Sequence, residues 1–391
     1  MRQWNNLDEL CEWESRIIDK KVRDKEFHLK PFILCFGISD SPLVRELAQI
    51  VNPAREKRTS NVGIPLRLNN NSIVNAPTAV LYDSNEDFTF ASPFKLRGQP
   101  NNILIYFKDK IFGKAELINH GDWLNKETLN GKKYSSIILP EADKFLMAAI
   151  PAPCCYQVAG KACLFCEYDV STLDKKVEDF IEVAVSAFKN NPSYSLTLTG
   201  GNTRTKDRGL KRFIPYVEAI SKNVTKAIGR KPAIQLEVSP PNSEKYFDEL
   251  IEAGATSFMM NLEQGDQKYR NIVCPEKSKI PLSDYIKAFE YLVKEKGVGA
   301  ASVLINGLIE SSKSTLKYAK MLSELGVRPI ILPFRPRGKL KRYYPADPSE
   351  FEYVSREVAK LTVDTSKTEG CANCPGCAML PHEIYEPSFA K

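Results

Sequence analysis

The sequence has 391 residues, 43% hydrophobic and 26% charged, with a formal net charge of +7. That is enough apolar content for two domains, or one domain with extensions, yet no run approaches the roughly eighteen apolar residues of a membrane span. So mild a positive charge leaves an anionic substrate open and does not call for nucleic acid.

The opening residues, Met1 to Leu10, lack the apolar centre of a signal peptide. With ten cysteines in the chain, this points to a reducing cytoplasm. Leu7 to Val22 has helical apolar spacing, with Cys11 as a core thiol. Phe32 to Phe36 is a short apolar run ended by Gly37, and Ser39-Asp40-Ser41-Pro42 caps a helix over Leu43 to Val51. Between Gly63 and Ile118 the chain predicts short strands at Ala79 to Tyr82, Phe88 to Phe90, Ile103 to Phe107 and Ile111 to Ile118, with Lys108-Asp109-Lys110 as a hairpin turn. Residues 1–140 thus read as an accessory α+β unit that covers the mouth of the main domain.

From about residue 140 strands and helices alternate. Phe145 to Ile150 is a strand that leads into a cysteine-rich loop, after which Ser171-x-x-Asp174 opens a helix through Phe188. Tyr194 to Thr199 is the second strand and Arg212 to Ile228 a helix broken near Pro215. Ala233 to Val238 is the third strand, followed by a helix capped at Asn242 or Ser243 and closed by Gly254. Thr256 to Leu262, Ala300 to Ile305 and Pro329 to Pro333 are the remaining strands, separated by helices over Pro281 to Lys296 and Thr315 to Leu325. A last helix starts at Asp347-Pro348. Six such units imply parallel strands with right-handed crossovers, in either a barrel or a doubly wound open sheet. Either way, function belongs at the carboxyl ends of the strands.

The loop after the first strand carries Cys154, Cys155, Cys163 and Cys166. Four thiols so close together, without a secretory signal, suit a metal better than a disulfide. Cys154 and Cys155 are alternative first ligands. A cubic iron–sulfur cluster normally takes four cysteines, so three would leave one iron for a small molecule. The three histidines, His28, His120 and His382, lie far from this loop, which disfavours histidine-led acid–base or zinc hydrolase chemistry. Glu237 and Glu263 each close an apolar strand, where a carboxylate faces the mouth because unpaired burial is costly. After the last strand comes a basic run, Arg335, Arg337, Lys339, Lys341 and Arg342, which reads as a solvated loop beside the mouth and keeps a carboxylate or phosphate substrate in play.

Cys163, Cys166 and an upstream cysteine, with the aromatic Phe165 before the last, resemble the signature of the radical S-adenosylmethionine (radical SAM) superfamily, and the layout is nearest its biotin-synthase-like branch. The usual three-residue first gap is seven or eight residues here. The resemblance implies a partial (β/α)6 TIM-type barrel over residues 141–345, an N-terminal α+β accessory domain over 1–140, and a C-terminal helix with a cysteine-rich tail over 346–391. It also implies a [4Fe-4S] cluster whose open iron chelates SAM. Its electron splits the sulfonium into methionine and a 5'-deoxyadenosyl radical, which takes hydrogen from a small-molecule substrate. An external donor such as flavodoxin or ferredoxin would supply the electron. Gly200, Gly201 and Asn202 stand where the family's Gly-Gly-Glu segment holds SAM's amino group, with Asn202 replacing the acid. Ile305 and Gly307 fall in a stretch similar to Gly-x-Ile-x-Gly-x-x-Glu, which packs against adenine, and Pro333 and Phe334 lie where related enzymes contact the cofactor.

Cys371, Cys374 and Cys377 form a second set, at two-residue gaps. They suit a second iron–sulfur cluster, or zinc completed by His382 or another cysteine. In the superfamily such a cluster binds substrate or gives up a sulfide, as in sulfur insertion or rearrangement. Cys35 and Cys274 read as packing residues. Two other functions fit the same residues: a radical SAM enzyme acting on RNA or protein, favoured by the basic run, and a zinc-stabilised binding protein without catalysis.

Overall fold

The computed structural model describes residues 2–23, 28–54, 63–79, 88–167, 174–361 and 363–385. Ser171 and residues 80–82 lie outside these. Helices Leu7–Arg23, Leu29–Phe36 and Pro42–Val51 open the chain. The Ser41 side chain accepts from the Val44 amide at 3.2 Å, so the expected cap forms. Five short antiparallel strands come next: β1 (Ile64–Leu68), β2 (Ile73–Ala76), β3 (Phe94–Gln99), β4 (Asn102–Phe107) and β5 (Lys110–Leu117), in the spatial order β2-β1-β5-β4-β3. Lys108 makes the hairpin turn between β4 and β5 at φ 52°. Phe88 to Phe90, expected as a strand, falls in a tight 3-10 turn, Phe88–Ala91, instead.

The second sheet has seven strands: β6 (Leu139–Glu141), β7 (Phe145–Ala149), β8 (Ser195–Thr199), β9 (Ala233–Glu237), β10 (Ser257–Met259), β11 (Gly299–Asn306) and β12 (Arg328–Pro333). They lie side by side in chain order, β7 to β12 all parallel, with β6 antiparallel on the outer side of β7. This order decides between the two architectures the alternation allows. A doubly wound sheet needs a point where strand order reverses. Right-handed crossovers that always step the same way put every helix on one face, and the sheet then curls with its other face inward. β12 and β6 do not pair, so the result is an open half-barrel.

The connecting helices are Val177–Asn190, Ile214–Ile228, Lys245–Ala253, Leu282–Glu290, Ser312–Glu324 and Pro348–Ala359. Pro215 falls in the first turn of its helix, where its missing amide costs nothing, so it starts the helix and does not break it. The first helix starts at Val177, later than expected, because Asp179 accepts from the Lys176 amide at 2.9 Å and closes the end there. Among the described residues no helix is long and apolar enough to cross a membrane.

The tail supplies the floor of the half-barrel. The Glu369 and Gly370 amides donate to Ser257 Oγ and Ser195 Oγ at the amino ends of β10 and β8, and the Cys371 amide donates to Thr197 Oγ1. Gly299, at the start of β11, lies so close to Lys367 that a Cβ there would sit 2.0 Å from its carbonyl oxygen. The N-terminal part grips this tail from outside. Lys30 Nζ donates to Pro375 O at 2.7 Å and pairs with Glu383 at 2.6 Å, and the Asn75 amide donates to Gly376 O. Apolar burial is continuous from Ile18 to Leu380.

His120 ties the segment before β6 to β8. Its ring nitrogens lie 2.9 Å from Ala142 O and 2.8 Å from Tyr194 Oη. Burial lowers its pKa to about 4, so the native state holds it neutral. A base depressed on folding stabilises fully above its unfolded value near 6.5 and loses that contribution as pH falls toward the folded value. Unfolding stability is therefore expected to drop by about 2 kcal/mol from this residue alone between about pH 7.5 and about pH 5. Denaturant titrations of wild type and His120→Gln at both pH values measure it. An equal drop in the two proteins would remove His120 as the source.

Candidate functional site

The inward face of the half-barrel bounds a cavity of about 330 Å³. Because strand side chains alternate, Met147, Thr199, Glu237, Met259, Val303 and Ile330 all reach it from β7, β8, β9, β10, β11 and β12. The cysteine loop sits at the carboxyl end of β7, and the tail closes the opposite end. Cys154, Cys163 and Cys166 line the cavity from the first side, Cys371, Cys374 and Cys377 from the second. Cys155 does not line it; its amide donates to Asn202 O at 2.8 Å and begins the one-turn helix Cys155–Val158.

Hydrogen bonds hold the loop in place from several directions. The Cys166 amide donates to Cys163 O, a turn that carries both thiols to the same wall. The Leu164 amide donates to Val273 O and Leu164 O accepts from Lys339, both at 2.8 Å, while the Gly338 amide donates to Glu167 Oε1. The Gly201 amide donates to Ala152 O at 2.7 Å, and a Cβ on Gly201 would lie 2.2 Å from the Cys154 nitrogen. Glycine at 201 is therefore what lets the second strand's end press against the first cysteine. Phe165, Gly200, Gly201, Asn202, Glu237, Glu263 and Ile305 all line the cavity. Gly307, Pro333 and Phe334 do not. Gly307 turns at φ 79° against Ala346, and Phe334 is buried in the core.

The polar groups at the mouth form a buried network. Asn261 Nδ2 donates to Glu237 Oε1 at 2.6 Å, and Lys277 Nζ donates to Glu263 Oε1 at 2.8 Å. Glu263 has φ 66°, a left-handed conformation costly for a residue with a side chain. Burial, then the charge of Glu263, pushes the Glu237 carboxyl above its ordinary range. Burial works against the Lys277 ammonium, but Glu263 and its other neighbours together hold its pKa well above normal. The thiols of Cys163 and Cys274 hydrogen-bond to each other, which holds Cys163 below the usual thiol range and Cys274 well above it. Cys274 is thus more than a packing residue. Nothing in its sequence surroundings marks this, since the contact spans more than a hundred residues.

At the other end, burial raises all three tail thiols, and the Glu141 charge adds to each. As placed, no three His, Cys, Asp or Glu side chains among the described residues converge tightly enough to hold a metal ion. What the structure provides is two sets of three soft donors on the walls of one cavity, each sulfur one rotatable bond from its backbone. That donor set suits an iron–sulfur cluster. His382 is exposed and lines a separate cleft beside β12, so it is not placed with the tail thiols.

Two expectations are corrected. Among the described residues, none before Glu141 lines the cavity, so the described part of the N-terminal unit seats the tail and contributes no side chain to the mouth. The basic run is solvated only in part, with Lys339 and Lys341 exposed. Arg335 and Arg337 are buried, Arg337 lines the cavity, and Arg342 lies over the Trp4 ring at 5.0 Å. Sequence reasoning also missed Glu141 and Lys277. Glu141 follows an apolar stretch, a faint signal of an inward carboxylate, while Lys277 lies in Glu276-Lys277-Ser278-Lys279, which looks like any exposed turn.

Comparison with protein-family models gives no match, and comparison with curated proteins gives none either. Among solved structures, this chain is similar to TsrM, a radical S-adenosylmethionine methyltransferase from Kitasatospora setae, with tryptophan substrate and the SAM analog aza-SAM bound. The likeness covers 50% of this chain and 38% of that one, at 14% identity and a TM-score of 0.37. HydG, a maturase of the [FeFe]-hydrogenase, aligns over 55% of this chain and 49% of its own, at 13% identity and a TM-score of 0.40. A TsrM structure with cobalamin and a [4Fe-4S] cluster aligns over 46% and 34%, at 13% identity and a TM-score of 0.33. The chain spans less than half the length of each of these chains.

Three substitutions test the geometry. Gly201→Ala drives a methyl into the Cys154 backbone and is expected to cost at least ~2 kcal/mol of stability, read by denaturant unfolding. Lys277→Met leaves Glu263 buried without its cation and is expected to cost about 3 kcal/mol. Adding Glu263→Gln should restore most of that loss. Failure of the pair to recover would mean the ion pair does not account for the effect.

Proposed function

We propose that this protein is a radical SAM enzyme acting on a small-molecule substrate, with the first cluster held by Cys154, Cys163 and Cys166 and a second metal centre at the tail cysteines. The observation that carries the reading is that three thiols from one loop line the cavity at the carboxyl end of a half-barrel strand, with Gly201 pressed against the first of them. Of the two alternative first ligands, Cys154 is favoured because its side chain, unlike that of Cys155, reaches the cavity. A three-cysteine [4Fe-4S] cluster would supply the electron that cleaves SAM reductively and so the radical that abstracts hydrogen.

The chain's own residues do the rest. Gly200, Gly201 and Asn202 fix the loop and offer backbone groups at the mouth. Glu237, Asn261, Glu263 and Lys277 hold a rigid polar network there, suited to orienting the amino and hydroxyl groups of SAM. Met147, Met259, Val303 and Ile330 make an apolar band between the two ends, which keeps water from a reactive intermediate. Arg337 brings a cation to the wall, which suits an anionic substrate. The volume lies near the lower end of the ~300–1,000 Å³ typical of small-molecule sites. Burial of Arg335 and Arg337 leaves Lys339 and Lys341 as the exposed lysines of the basic run, fewer cations for counterion release on a phosphate backbone. An external one-electron donor of the flavodoxin or ferredoxin kind, and a cytoplasmic setting, belong to the same proposal.

Anaerobically reconstituted protein is expected to be brown and, with SAM and dithionite, to release 5'-deoxyadenosine. Cys154→Ala, Cys163→Ala and Cys166→Ala should each reduce that release to background, whereas Cys155→Ala should keep most of it. Colourless, zinc-loaded protein that forms no 5'-deoxyadenosine would sink the reading and leave a binding protein.

A further inference from the structure

The floor of the cavity holds more than three thiols. Glu141 ends β6, is 4% exposed, and lines the same wall as Cys371, Cys374 and Cys377. One side chain joins it to them: Asn75 Nδ2 donates to Glu141 Oε2 and lies 3.8 Å from Cys377 Sγ. Asn75 is itself fixed, its Oδ1 accepting from the Ala142 amide and its own amide donating to Gly376 O. The carboxylate and the thiol loop are therefore positioned by the same residue.

The surroundings are built for negative charge. Lys30, 4% exposed, donates to the Pro375 carbonyl within the cysteine turn and pairs with Glu383. Arg335, 5% exposed, uses its Nε on Leu34 O and turns its charge and a side-chain hydrogen bond toward Cys377. A buried guanidinium needs negative charge beside it, and thiolates bound to a metal would supply it. Neutral thiols would not.

We propose that Glu141 is the fourth protein donor of a metal centre built on Cys371, Cys374 and Cys377, so that three thiolates and one carboxylate oxygen hold it on the cavity floor. This rests on the reading that the tail thiols bind metal, and it replaces His382 as the residue that completes them. Iron–sulfur cluster and zinc both accept such a set, and the metal found distinguishes them. The carboxylate is the hard donor among soft ones, and it faces the cavity.

The test uses the full chain carrying Cys163→Ala and Cys166→Ala, so that the tail alone can load, reconstituted anaerobically with iron and sulfide or with zinc. X-ray absorption at the metal edge is expected to show an oxygen neighbour beside sulfur. That oxygen should disappear in Glu141→Ala and give way to sulfur in Glu141→Cys. Glu141→Gln keeps an acceptor for Asn75 and so controls for folding. It should still lose metal to a chelator at least ~10-fold faster than its parent. An unchanged oxygen signal in Glu141→Ala, or equal metal retention in Glu141→Gln, would overturn the proposal. So would a parent variant that takes up no metal, and release of 5'-deoxyadenosine by the wild type would then show that the loop-cluster reading survives independently.

Discussion

A sheet that curls without closing has an inward face that its own strands cannot seal, and this constraint shapes the rest of the molecule. β12 and β6 stand apart as unpaired edges. The bore between them carries Thr197, Gln235 and Ser257, polar side chains that need partners in a buried setting. The tail answers at the amino ends of the strands, where its amides donate to Ser195, Thr197 and Ser257. The N-terminal unit in turn holds the tail through Lys30 and Asn75. Segments at opposite ends of the chain thus meet at the base of the half-barrel.

The same closure arranges the chemistry. Had the tail packed outside the sheet, its thiols would have no route to the cysteine loop. Folded into the floor, they share one cavity with that loop, whose walls also carry Met147, Met259, Val303 and Ile330. Charge follows the same division: Glu263 and Lys277 balance each other at the mouth, while Lys30 and Arg335 lie beside the floor.

Much of this was legible because it is local. Cys163 and Cys166 share a turn, and their spacing marks a candidate ligand pair wherever the loop is placed. The alternation of six strands and helices follows from periods of two and 3.6 in apolar residues, which short windows contain. The details that went astray were boundaries governed by capping. Pro215 reads as a break until its place in the first turn is known, and Asp179 moved the helix start beyond Ser171-x-x-Asp174. Phe88 to Phe90, apolar enough for a strand, forms a tight turn in which the Ser92 amide donates to Thr89 O.

The sequence by itself determined the α/β class, the cysteine loop after the first strand of the alternation, and the identity of both thiol sets, since each depends on residues a few positions apart. Only the tertiary structure decided that the sheet is a half-barrel, that the tail is its floor, that Arg335 and Arg337 are buried, and that Glu141 and Lys277 belong to the site. Residues 141 and 371 become neighbours through the curl of the sheet and the path of the tail beneath it. Such a contact leaves no periodic trace in the chain, because its energy comes from burial and charge compensation between segments with no local relation.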